Sequence, residues 1–300
     1  MAPDLDVLIT SPTDPLLALE YHRQFTHSLL FIPIGGLLCA LALFWLVRKR
    51  VSFAATYAYC CLGYATHGLL DACTSYGTQL LWPFSSLRVA WNNVSVVDPL
   101  LTIPLLCLVA AAAFRKRPGL ARAGVFWVVL YLTAGVVQRE RAVTTGWEIA
   151  TLRGHAPTSL DAKPSFGNLA LWKTIYEYQG RYHVDAVRLL AEPTLFEGQS
   201  IPSLEIGRDF PWLDRNSQQA RDIERFRWFS DGFIARDPND HARVIDIRYS
   251  MLPNEIDALW GLELNAAAGS NAHAGFVTAR TLTPEQRSKL LKMLWPASSN

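Results

Sequence analysis

Long parts of this 300-residue chain lack charge. No Asp, Glu, Lys or Arg occurs in residues 30–47, 51–70, 99–114 or 123–138, although 18% of the chain is charged. Each run approaches the length needed to cross a hydrocarbon core of roughly 30 Å. Soluble helical domains also bury apolar helices, but four such runs in close succession are hard to hide in one core, so we expect four transmembrane helices. Cysteine is scarce as well. The five (39, 60, 61, 73 and 107) lie in or beside the apolar runs, and none follows residue 107. That distribution indicates neither a disulfide framework nor a CxxC metal site, and the cysteines read as small apolar fillers. There is no basic stripe and the net charge is only +2, so nothing points to nucleic acid. The first ten residues are acidic rather than basic, and we expect no cleavable signal peptide.

The basic residues that do occur are clustered. Seven of the eleven Lys and Arg in residues 1–150 sit in two short loops, Arg48–Arg50 and Arg115–Arg122. The positive-inside rule puts both loops in the cytoplasm. Counting 21 residues back from Arg48 reaches His27, and 21 forward from Arg50 reaches Asp71. At 1.5 Å per residue each path covers roughly 30 Å, so His27 and Asp71 are expected at one non-cytoplasmic face. The fourth run leaves the membrane near Gln138–Ala142, which puts all that follows outside.

That face collects residues able to carry chemistry. His67 and Asp71 are four apart, so a helix sets both on one side with Thr74 one turn further on. An imidazole and a carboxylate at that spacing can ligate one metal, or the carboxylate can orient the imidazole. His22 and His27 are five apart and cannot point the same way within regular helix. We expect Thr26 to cap the helix, with His22 and Arg23 in the turn before it aiming both imidazoles at one point. Asp4 and Asp6 stand at alternate positions and share a face if that stretch is extended. Each feature alone is weak, because a single His at a helix end is more often a hydrogen-bonded interface residue. Their meeting at one depth makes a metal centre the sharper reading. A mixed His and Asp set suits Zn²⁺ or Mn²⁺ with open water positions.

At these residues the sequence resembles the YdjM-like family, described as metal-dependent hydrolases of the bacterial inner membrane. The matching stretches are PDLDVL, HRQFTHSLL, HGLLDACTSYGTQLLWPFS and VVDPLLTIPLL, with FRWFSDGF and VIDIRYSM resembling a tail segment of many members. The resemblance implies a membrane metal-dependent hydrolase acting on lipid phosphoesters. It also carries an association with a soluble repressor of DNA-damage genes, which an outward-facing site would not reach. Members usually have a further segment before PDLD with a Thr-Gln or Thr-His pair. This chain begins Met1-Ala2-Pro3, so the resemblance implies a start assigned too late or a missing helix with one polar ligand.

After residue 150 the apolar runs stop, and 17 Lys or Arg balance 18 Asp or Glu. Residues 171–190 alternate around Gln179-Gly180 and read as a β-hairpin. ARVIDIRYSM and HAGFVTAR read as strands, and NSQQARDIERFRWFS as a helix. TPEQRSKLLKMLW carries a capping box, with Thr283 as N-cap, Pro284 at N1 and Gln286 at N3. His155, His183, His241 and His273 lack ligand-like spacing, and Trp172, Trp212, Trp228 and Trp260 read as core.

The expected architecture is an α-helical membrane domain over residues 1–145, followed by a small periplasmic α+β domain over 146–300. The expected activity is hydrolysis of a lipid or lipid-linked phosphoester, a phospholipase-like reaction at the outer face of a multi-pass inner-membrane protein. His22, His27, His67, Asp71 and Asp4 are expected to ligate the metal, with Asp6 completing the shell or acting as general base. Arg23 is expected to stabilise a phosphoryl oxygen and Thr74 to assist by a hydroxyl hydrogen bond. The expected partner is membrane lipid, not nucleic acid, and a protein partner is left open. The alternatives are a non-enzymatic membrane interaction protein with a structural His cluster, and haem ligation between His27 and His67. The haem reading leaves Asp71, Arg23 and the Asp pair unexplained.

Overall fold

A computed structural model describes residues 2–295. It divides the chain into two compact units, Met1–Trp91 and Asn92–Asn300.

The first unit opens with a 3₁₀ helix, Pro3–Leu8, and a short helix α1, Leu17–Tyr21. Two 3₁₀ turns, Phe25–His27 and Leu29–Phe31, lead into α2, Ile32–Val47. The Arg48–Arg50 loop then turns the chain into α3, Phe53–Ala72. Ser28, not Thr26, caps the entry to α2, its Oγ accepting from the Phe31 N–H at 3.3 Å. The expected cap fails because the Thr26 hydroxyl is committed elsewhere, as described below. α2 and α3 form an antiparallel hairpin whose close approach depends on Gly35 and Gly36. A Cβ on either would collide with the Tyr64 ring or with Cys61. Beyond α3 the chain turns at Gly77 (φ +91°) and returns to α3 through a Trp91 N–H bond to the Ala72 carbonyl.

The second unit begins with a second helical hairpin, α4 (Pro99–Arg115) and α5 (Pro118–Leu152). Asp98 caps α4 through the Leu100 and Leu101 N–H groups, and the Tyr131 hydroxyl of α5 donates to the same carboxylate at 2.9 Å. α5 has 35 residues and is about 52 Å long. Its last turns leave the apolar stretch and pack Ala142 and Ile149 against Ala162, Trp172, Val187 and Leu189. The boundary expected at 145/146 lies inside this continuous helix.

The sheet it supports is antiparallel in sequence order: β1 (Leu160–Pro164), β2 (Leu171–Tyr178), β3 (Arg181–Leu189) and β4 (Pro193–Pro202). The expected hairpin is β2–β3, with Gln179 and Gly180 both at positive φ as a two-residue hairpin turn requires. Helices α6 (Ile206–Asp209) and α7 (Gln218–Phe229) lead to a second antiparallel sheet. It comprises β5 (Ile234–Arg236), β6 (Arg243–Asp246), β7 (Trp260–Glu263) and β8 (Gly275–Thr278). Ile175, Val184 and Ile201 of the first sheet share a core with Ala235 and Ile245 of the second. β2 is thus covered on both faces, which is why its first six residues are all buried. The final helix α8 (Pro284–Leu294) has the expected capping box. Trp172 is fully buried as expected, whereas Trp212 and Trp228 reach the surface. The tail motif's Asp246 and Arg248 form a buried ion pair at 2.7 Å.

Among the described residues two helices are long and apolar enough to cross a membrane, Leu29–Val47 and Pro118–Leu152. Only 17% of the most apolar window of each is buried, so neither is the core helix of a soluble domain. α4 is apolar but shorter. α3 carries no Asp, Glu, Lys or Arg before Asp71, yet its tyrosines, threonines and His67 lower its hydropathy, and it is not among the candidate spans. The helical region followed by a β-sheet domain agrees with the sequence reading, with two candidate spans where four were expected.

Candidate metal centre

The site lies at the end of the α2–α3 hairpin opposite the Arg48–Arg50 loop. Asp4 comes from the first 3₁₀ helix, His27 from the turn before α2, and His67 and Asp71 from the last turns of α3. One ligand atom from each of the four lies within 4.8 Å of the others. His27 Nε2 is 3.1 Å from Asp71 Oδ2 and 3.6 Å from Asp4 Oδ1. His67 Nε2 is 3.2 Å from Asp4 Oδ1 and 3.4 Å from Asp71 Oδ2. Ligands at roughly 2.0–2.2 Å around a tetrahedral ion stand about 3.4 Å apart, so these separations fit one divalent cation.

Two atoms sharpen that fit. His27 Nε2 and Asp71 Oδ2 are buried and have no hydrogen-bond partner of acceptable geometry. Buried polar atoms are rarely left so, because desolvation without a partner costs about 1–3 kcal/mol. These two face one another across the cluster.

Asp6 lies beneath the cluster, 2% exposed. In a 3₁₀ helix residues two apart diverge by about 120°, so Asp4 and Asp6 do not share a face. They bracket His27 instead, Asp4 toward Nε2 and Asp6 Oδ2 at 3.2 Å from Nδ1. The same Asp6 oxygen accepts from the Thr26 hydroxyl at 2.6 Å and the Arg23 N–H at 3.0 Å, and Oδ1 lies 2.8 Å from His22 Nδ1. Burial pushes the Asp6 carboxyl up, but these hydrogen bonds outweigh it and hold the group well below the usual carboxylate range. An ionised Asp6 fixes the proton of His27 on Nδ1 and leaves the Nε2 lone pair facing the cluster. In the ion-free protein burial disfavours the His27 imidazolium, but the adjacent Asp6 and Asp71 carboxylates win and raise its pKa.

Four residues are placed differently from the expectation. His22, expected as a ligand, is outside the four-residue cluster, with its Nδ1 on Asp6 and its ring edge-on to Tyr76. The backbone there is unusual: Arg23 adopts a left-handed φ of +62°, held by its N–H to Asp6 and by the Gln79 N–H to its carbonyl, and the His22 ring meets His27 edge-on at 6.1 Å. Arg23, expected to meet substrate, turns inward. Its Nη2 is 3.2 Å from Asp71 Oδ1 and its Nη1 donates to Thr74 Oγ1 at 2.9 Å. The Thr74 hydroxyl donates to the Asp71 carbonyl at 2.7 Å, so it too braces the ligand helix. Asp6 is neither in the cluster nor open to solvent.

Sequence reasoning missed two contributors. Thr26 was expected only as a cap. Gly68 was not singled out, yet a Cβ there would stand 2.8 Å from the His27 carbonyl oxygen, so only glycine lets the His27 turn lie against α3. Its placement one residue after His67 is the signal that was available.

An apolar helical hairpin with a two-His, two-Asp cluster at one end, His27 buried and the other three half-buried, defines a membrane protein with a candidate metal centre. Residues 1–142 match the family model described as "YdjM inner membrane protein", the family the motifs resemble. The chain is similar to the "Uncharacterized protein YfhP" of Bacillus subtilis (strain 168), at 25% identity over 139 residues. The match covers 46% of this chain and 42% of that protein, so the chain spans less than half of its relative's length. No solved structure matches.

Asp6→Asn is expected to lower metal affinity about 10–100-fold without removing a ligand, as loss of a second carboxylate behind a ligating histidine does. Metal binding should also weaken as pH falls. A raised His27 pKa means the site's proton is held up to higher pH, and the metal must displace it. Calorimetric titration at about pH 6 and about pH 8, in buffers of different ionisation enthalpy, should show tighter binding and less proton release at the higher pH. Affinity independent of pH would remove His27 from the ligand set.

Proposed function

We propose that this protein is a multi-pass inner-membrane hydrolase with a divalent metal centre at Asp4, His27, His67 and Asp71, acting on a lipid or lipid-linked phosphoester at the periplasmic face. The observation that carries the reading is the pair of buried, unpartnered atoms, His27 Nε2 and Asp71 Oδ2, inside a four-ligand cluster at the head of an apolar hairpin. A mixed imidazole and carboxylate set favours Zn²⁺ or Mn²⁺. When bound, such an ion acidifies water and polarises a phosphoryl oxygen.

The chain's own residues do the rest. Asp6 orients His27, and Arg23 with Thr74 holds Asp71 so that Oδ2 faces the cluster. His67 and Asp4 are the more exposed members, with side chains 24% and 36% accessible, and they form the open side where a phosphoester would enter. Hydrolysis adds water across a P–O bond, leaving an alcohol and a phosphate. The sidedness rests on the two basic loops, and four crossings rest on the uncharged runs.

Metal analysis of the purified protein should find about one divalent ion per chain, lost in His67→Ala and Asp71→Ala while membrane insertion persists. Arg23→Ala should retain metal more weakly, with turnover of a phospholipid and prenyl-phosphate panel reduced about 10–100-fold, as loss of a group that orients a metal ligand does. Alkaline phosphatase fused after residue 300 should be active, and fused at Arg117 inactive. An unmutated protein without metal or turnover makes the His cluster structural and a non-enzymatic interaction protein the better account.

A further inference from the structure

A groove of about 470 Å³ runs along the α2–α3 hairpin away from the metal cluster. Its walls include Cys39 and Leu43 of α2 and Thr56, Cys60, Gly63 and His67 of α3. The four α3 positions fall at i, i+4, i+7 and i+11, one continuous stripe of the helix. From Thr56 to His67 that stripe is about 16 Å long, and Val47 and Val51 carry the lining on toward the Arg48–Arg50 loop. No Asp, Glu, Lys or Arg lines it. One end is different, because His67 belongs both to the groove wall and to the metal cluster.

We propose that this groove holds one hydrocarbon chain of a phosphate-bearing membrane lipid, with the phosphate at the cluster. The match is in polarity along the length: an uncharged wall, ending at a site built for a cation. An amphiphile with an anionic head and an apolar tail complements both parts, whereas a cationic head would meet the metal with like charge. The proposal rests on the metal-site reading for its headgroup and not on hydrolysis. Gly63 keeps the groove open. A Cβ added there meets nothing within 4 Å, so a larger side chain would project into the groove without displacing a neighbour.

The test uses the full chain, metal-loaded, in lipid nanodiscs with hexadecyl phosphate bearing a mid-chain diazirine. Photolabel should map to the Cys39–Val47 and Thr56–Gly63 segments. Gly63→Leu should reduce it by about tenfold, as a side chain forced into an occupied apolar space does. Leu62→Phe, which adds bulk on the neighbouring exposed surface, should leave labelling unchanged. A hexadecyl trimethylammonium probe with the same diazirine should label the groove weakly. Label spread evenly over the lipid-facing surface, label insensitive to Gly63→Leu, or equal labelling by the cationic probe each overturns the proposal. Metal content and panel turnover, measured on the same samples, separate the two readings. Groove-specific label without turnover upholds the groove and sinks the hydrolase. Turnover with label that ignores Gly63→Leu does the reverse.

Discussion

The structure of the first unit depends on one imidazole whose two nitrogens are both committed. His27 is buried with a carboxylate on Nδ1 and two more near Nε2. A ring so placed must have its orientation fixed, because rotating it would bury Asp6 without a donor and turn the lone pair away from the cluster. The surrounding oddities follow from that requirement. Thr26 gives its hydroxyl to Asp6, and Ser28 caps the Leu29–Phe31 turn that leads into α2. Arg23 accepts a left-handed backbone to bring its N–H to Asp6 and its guanidinium to Asp71. Gly68 is glycine because the His27 carbonyl lies where its side chain would be.

The same place is costly in charge. Three carboxylates, Asp4, Asp6 and Asp71, converge where the chain enters its most apolar helices. Arg23 compensates one of them, and the raised basicity of His27 lets a proton compensate another. Asp71 remains divided, with Oδ1 paired to Arg23 and Oδ2 buried without a hydrogen bond. A divalent cation would neutralise what the proton and the guanidinium leave over. The raised His27 pKa and the unpartnered Asp71 oxygen are thus two signs of one excess of negative potential.

Much of this was legible because helix spacing is rigid. His67 and Asp71 at i and i+4, and the matched distances from the Arg48–Arg50 loop to His27 and Asp71, required only a fixed rise per residue, and both residues meet at the cluster. The same holds for the β2–β3 hairpin and the α8 capping box, whose signals are local. What failed lies in the irregular backbone. Whether Asp4 and Asp6 share a face depends on extended against 3₁₀ geometry, and Pro3 is compatible with either. His22 spends its Nδ1 on Asp6 next to a left-handed φ at Arg23, which no arginine announces. α5 runs unbroken through residues 145 and 146: its apolar and amphipathic parts share one helical period, and nothing in the sequence interrupts the helix between them.

The modest hydropathy of α3 is informative in this light. A helix that only crossed a bilayer would be apolar on every side, as α2 nearly is. α3 has three obligations around its circumference. Tyr64 and Gly68 pack closely against α2 and the His27 turn, and Thr56, Cys60 and Gly63 line the groove. His67 and Asp71 complete the cluster at its end. Packing needs small or shaped residues, and the cluster needs polar ones, so neither can be supplied by leucine or isoleucine. The helix gives up lipid-like composition where it carries the site, while α2 beside it keeps the composition of a candidate membrane span. The segment least like a simple membrane span is therefore the one on which the chemistry is built.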